Sequence, residues 1–207
     1  MRILNSNEYM SEKLDIKPVT KSMLSNAKDI HAFIKTFRLI FNPDTNCYDC
    51  DGDVVIDKDI IINGRFPIKF GNVNGDFYCC HNGMTTLYGS PKKVGGSFEC
   101  SDNNLKNLEG APDVVGYEFN CCDNKLISLN GAPQKVGGSF YCSGNNLTTL
   151  KGSPQYVDGD FHCGSNKLVS FDGAPKNVNG NLYCDNNPNL ILAKENANWL
   201  KGKIINK

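Results

Sequence analysis

The sequence has no long apolar run, no excess of either charge and very little tryptophan or histidine. Its 207 residues include one tryptophan, three histidines, and 22 basic side chains against 22 acidic ones. No stretch approaches the roughly 20 apolar residues of a membrane-spanning helix, so no membrane association is expected. Zero formal charge argues against a broadly basic nucleic-acid binder or an acidic-tail protein, and no direct nucleic-acid binding is expected. The first 25 residues alternate polar and apolar side chains and lack the apolar core of a secretory signal. A cytoplasmic location is therefore expected, where thiols stay reduced. The sequence contains no G-x-S-x-G, P-loop or H-E-x-x-H signature, which points away from an enzyme. What the chain has in excess is cysteine, with 10, and asparagine, with 27.

A repeat places six of these cysteines and six of these asparagines at fixed positions. Phe77, Phe98, Phe119, Phe140, Phe161 and Leu182 recur every 21 residues, and so do Cys79, Cys100, Cys121, Cys142, Cys163 and Cys184. Asn82, Asn103, Asn124, Asn145, Asn166 and Asn187 keep the same interval, as do two leucine-type columns, a glycine, a proline and a valine. The unit reads F-x-C-x-x-N-x-L-x-x-L-x-G-[AS]-P-x-x-V-x-G. The alternation of Phe and Cys is the period of a strand with one buried face. Asparagine can end that strand by bonding backbone groups of the turn and of the neighbouring coil. Gly-Ala/Ser-Pro excludes a helix and predicts a short extended return.

The F-x-C-x-x-N-x-L core resembles leucine-rich repeats. It is similar to the short proline-containing type of secreted bacterial effectors, and closer still to leucine-rich-repeat proteins of tailed bacteriophages. Gly96-Ser-Phe-Glu-Cys-Ser-Asp-Asn-Asn-Leu, Leu108-Glu-Gly-Ala-Pro and the opening from Glu8 to Thr20 carry that resemblance. It implies an α+β repeat solenoid of about six regular right-handed coils. A parallel sheet would form the concave face, with short irregular convex segments and helical caps at both ends. It also implies a phage accessory protein that binds a host protein in the bacterial cytoplasm, inhibiting a defence or regulatory factor in one version. A structural virion component is the alternative role.

Residue pattern divides the ends of the chain. Residues 1–17 read as an N-terminal segment, either a short helix or disordered. Residues 18–52 read as a capping helix and polar loop, because Met23, Ala27, Ile30, Ile34, Phe37 and Phe41 form one apolar helical stripe. Residues 53–192 form the solenoid, its first coil degenerate, and 193–207 a C-terminal capping helix carrying Trp199 and Leu200.

Candidate chemistry is sparse. The cysteine column reads as core, one small apolar side chain per coil. Cys47-Tyr-Asp-Cys50 is a lone C-x-x-C that keeps a metal- or redox-linked reading open, and Asp49, Asp51 and Asp53 alternate like calcium ligands without the glycine an EF-hand needs. No cofactor or metal is expected. The two histidines of the repeats, His81 and His162, lie four coils or roughly 19 Å apart, too far for one catalytic centre.

The outward strand residues are the expected binding surface, since repeat solenoids present their ligands to such a face. The 24 positions flanking the Phe and Cys columns hold seven acids and no lysine or arginine. The candidates are Asp76, Tyr78, Glu99, Asp102, Glu118, Asn120, Asp123, Tyr141, Asp160, His162, Tyr183 and Asp185. Tyrosine supplies stiff contact area, and acids would steer a basic patch of a protein partner. Nothing in the sequence specifies an oligomeric state.

Overall fold

The computed structural model describes residues 23–58, 60–191 and 198–206; the expectations for residues 1–17 and for 193–197 lie outside them. The chain opens with helix α1 (Met23–Thr36). Arg38, at φ 50°, closes it in the left-handed region, and the Leu39 N–H donates to the Ile34 carbonyl at 2.9 Å. Ile30 and Phe33 are buried, with the Phe33 ring edge-on to Phe70 at 6.2 Å.

Beyond the helix the chain winds as a β-solenoid with two eight-stranded sheets. One sheet holds β1 (Ile40–Asn42), β2 (Cys47–Cys50), β4 (Phe70–Val73), β6 (Lys93–Val94), β8 (Val114–Val115), β10 (Lys135–Val136), β12 (Tyr156–Val157) and β14 (Asn177–Val178). The other holds β3 (Val54–Val55), β5 (Phe77–Tyr78), β7 (Phe98–Glu99), β9 (Phe119–Asn120), β11 (Phe140–Tyr141), β13 (Phe161–His162), β15 (Leu182–Tyr183) and β16 (Ile204–Ile205). All pairs are parallel except β1–β2.

The repeat solenoid is thus present, and three finer expectations change. The convex segments are not irregular. After each proline the return segment pairs with its neighbours through a dipeptide that ends in valine, from Lys93–Val94 to Asn177–Val178, so the valine column belongs to a second sheet. The polar loop expected within 18–52 contains the β1–β2 hairpin, which takes Phe41 out of the helical stripe. Among the described C-terminal residues there is no helix. Leu200 bridges Val178, and β16 extends the sheet of the phenylalanine strands by pairing with β15.

The interior is a set of columns. Phe77, Phe98, Phe119, Phe140 and Phe161 are fully buried, and their rings stack at centroid distances of 5.5, 5.3, 5.3 and 5.2 Å. The six repeat cysteines lie beside them, fully buried and free. The Cys121 thiol donates to the Tyr141 carbonyl and the Cys142 thiol to the His162 carbonyl.

A polar column runs through the same interior without cost, because it is satisfied. Asn124, 7% exposed, donates through Nδ2 to the Cys100 carbonyl of the preceding coil at 3.0 Å and to the Cys121 and Cys122 carbonyls of its own. Its Oδ1 accepts the Leu105 N–H at 3.0 Å. Asn103, Asn145, Asn166 and Asn187 repeat this pattern. A buried amide with both ends bonded ties each coil to the one before.

Candidate functional site

The candidate surface is the outward side of the sheet built on the phenylalanine strands. In-register pairing stacks Tyr78, Glu99, Asn120, Tyr141, His162 and Tyr183 on successive rungs. Because Phe points inward, these neighbours point out. Asp76, Glu118 and Asp160 precede them by two residues, and Asp102, Asp123 and Asp185 follow the strands. The structure therefore gathers all twelve candidates on one side of the solenoid.

It also assigns several of them work inside the fold. Asp76 Oδ1 accepts the Ser97 N–H of the next coil at 2.7 Å and its Oδ2 accepts the Tyr78 hydroxyl at 2.8 Å. That bond, with burial and the charges of Asp76, Asp53 and Glu99, pushes the Tyr78 phenol up to about 12. Asp160 Oδ1 likewise accepts the Asn181 N–H at 2.7 Å. Asp53, Ser97, Ser139 and Asn181 accept in the same way, so this column is a side-chain ladder that replaces missing sheet bonds at the corner.

Asp102 and Asp123 have a different constraint. They sit at φ 55° and 52°, in a column completed by His81, Gly144, Ser165 and Asn186, all with positive φ. Aspartate and asparagine tolerate the left-handed region better than most side chains. Asp102 also faces His81 Nε2 at 3.6 Å.

Glu99 is the acid that the fold strains most. Burial raises its carboxyl to about 7, a hydrogen bond from Asn120 opposes the shift, and Glu118 and Asp76 add to it. A cation placed against Glu99 would relieve that penalty. Glu118 is exposed, its Oε1 accepting the Tyr141 hydroxyl at 3.4 Å.

Toward the C-terminal end the face is aromatic. Tyr141, His162 and Tyr183 stack with centroids 4.5 and 4.3 Å apart. Their flat sides cover one another, which leaves the ring edges and polar atoms to meet a partner. Burial lowers the His162 imidazole pKa, while Asp160, Asp185 and Glu118 pull it back up.

The lysines lie elsewhere. Lys93 and Lys135 project from β6 and β10 of the other sheet, Lys135 Nζ within 3.8 Å of Asp158. The alternative Cys47/Cys50 pair does not converge. The two thiols sit three residues apart on β2, Cys50 inward and Cys47 half-exposed. Cys50 donates to the Phe37 carbonyl and Cys47 to the Thr45 carbonyl. Asp49, Asp51 and Asp53 each accept a hydrogen bond from the following coil.

Residue-type reading missed the side-chain ladder, the left-handed column and the ring stack. The second had a visible signal: the residues before Asn82, Asn103, Asn124, Asn145, Asn166 and Asn187 are His, Asp, Asp, Gly, Ser and Asn, a turn-forming set. No family model, curated protein or solved structure matches this chain.

Proposed function

We propose that the protein is a non-enzymatic protein-binding module that holds a basic segment of a partner against the outer face of the phenylalanine-strand sheet. The observation that carries this reading is the charge distribution on that face: seven acids and no lysine or arginine in 24 positions, gathered by the register of the sheet into adjacent columns. Asp76 and Asp160 are partly spent on backbone N–H groups. The free recognition charge therefore rests on Glu118, Asp123 and Asp185, joined by Glu99 as a bound cation draws off its proton, with Tyr78 and the Tyr141–His162–Tyr183 ladder as stiff contact area at either end. By its resemblance to phage leucine-rich-repeat proteins, the partner would be a protein of the bacterial host, held in the cytoplasm and blocked or recruited there.

Affinity capture from producing or infected bacteria tests the reading. The wild-type chain should retain a protein that the Glu99→Lys/Glu118→Lys/Asp123→Lys variant, folded to the same circular-dichroism spectrum, loses. Equal retention by both would overturn it.

A further inference from the structure

A second site is built where the solenoid departs from its repeat. The first coil runs 23 residues from Val54 to its rung partner Phe77, two more than the regular spacing. The extra length makes a tight reversal. Ile62 and Arg65 exchange backbone bonds at 3.0 and 3.1 Å, and Asn63 and Gly64 take φ 52° and 74°. Two positive φ values at an Asn-Gly pair are the signature of a type I′ turn. Phe66 and Ile68 are turned into the core, Phe66 resting edge-on to Phe77 at 5.7 Å, while Arg65 and Lys69 stay at the surface.

The result is a cleft of about 520 Å³ that opens beside the β1–β2 turn at Asn46. This volume lies in the range of small-molecule sites. Ile62, Phe66, Pro67 and Ile68 supply an apolar wall. Arg65 and Lys69 supply two positive charges, and no acid lines the cleft. Among the described residues no carboxylate lies within ion-pair range of either. Tyr88, 61% exposed, stands at the edge with Lys69 Nζ 5.7 Å from its ring centre.

An adjoining cavity of about 500 Å³ shares Lys69, Tyr88 and Gly89 with the first. Ser90 lines it, 7% exposed, and its Oγ has no hydrogen-bond partner. A buried hydroxyl without a partner is costly in a folded protein, but this oxygen is enclosed by the fold and out of a ligand's reach. The second cavity also carries Glu109 and Asp113 beside Lys69 and Lys92, so a lining with basic and no acidic side chains belongs to the first alone.

From this geometry we infer that the cleft is a binding site for a small organic anion. Its carboxylate, sulfonate or phosphate would meet Arg65 and Lys69, and its apolar body would lie on the partly exposed Ile62 and Pro67. The site shares no residue with the acidic face, and either can fail without the other.

The probe is 8-anilinonaphthalene-1-sulfonate, an apolar ring system bearing one anion, compared with uncharged N-phenyl-1-naphthylamine. The full-length protein should bind the sulfonate saturably at one site, with fluorescence enhancement that weakens as salt rises. The uncharged dye should bind at least 10-fold more weakly. Arg65→Ala/Lys69→Ala, two exposed positions whose replacement leaves the core intact, should weaken the sulfonate at least 10-fold. Equal affinity for the two dyes, or sulfonate binding unchanged in the double variant, would mean that the dye reads general apolar surface and would overturn the assignment.

Discussion

Asparagine at the strand end carries more of this fold than its size suggests. One Asn145 side chain donates to the Cys121, Cys142 and Ser143 carbonyls and accepts the Leu126 N–H. Replacing it with alanine orphans a buried donor and several acceptors, each worth about 1 kcal/mol or more. Asn145→Ala should cost about 3 kcal/mol in urea unfolding, and a loss under about 0.5 kcal/mol would show that water restores these bonds. Glu99 makes the opposite kind of contribution. Its carboxyl, ordinarily near 4.5, stands near 7 in the fold because burial penalises the charged form. The folded state therefore holds its proton more tightly than the unfolded chain does. Stability from this group is greatest at acid pH and is lost as pH rises from about 4.5 through about 7. Glu99→Gln should leave thermal stability at pH 5 nearly unchanged and raise it at pH 8 by about 1 kcal/mol, after allowing for solvent screening of a half-exposed group. An equal shift at both pH values would contradict the burial account.

At the scale of elements, strands of two residues hold together only because they stack. Each makes few bonds, and the turns between them must deliver the chain in register. Gly131 shows how tightly: it sits at φ 90°, and a Cβ there would overlap the Leu108 carbonyl of the preceding coil. Gly131→Ala should cost more than about 2 kcal/mol from left-handed strain and overlap together, whereas Gly52→Ala, with open space around it, should be nearly neutral. Calorimetric melting of the two variants checks the contrast. The same scale explains what the sequence concealed. The Phe and Cys columns announce their strand because two buried positions alternate. In each two-residue return strand only the valine is buried, so no alternation marks this sheet in the sequence. Its bonds run between coils, from the Gly116 N–H to the Val94 carbonyl for example, and leave no mark on side-chain pattern. At the C-terminus the local helix-forming composition competed with a faint repeat. Gly202-Lys-Ile204 continues Gly180-Asn-Leu182 at a spacing of 22, with the Gly202 N–H on the Gly180 carbonyl, and stacking on the last coil prevailed.

For the molecule as a whole, the register of one sheet turns scattered acids into a surface. The twelve candidate residues were readable from the 21-residue interval alone, because fixed spacing dictates which side chains share a face. Their individual duties were not readable, since accepting a backbone N–H from the next coil depends on corner geometry that composition does not encode. The zero net charge of the chain conceals this separation of acidic outer columns from lysines such as Lys93 and Lys135 on the other sheet. The claim that the acidic sheet is the binding surface is tested most directly by titrating the captured partner, in a calorimeter, into three forms of the protein. These are the wild type, the Glu99→Lys/Glu118→Lys/Asp123→Lys variant, and a matched reversal on the other sheet, Lys93→Glu/Lys135→Glu. Binding should weaken at least 100-fold in the acidic-face variant and change less than about 3-fold in the control, a gap of roughly 2 kcal/mol. Equal weakening in both variants, or loss confined to the lysine variant, would place the partner elsewhere and contradict the account.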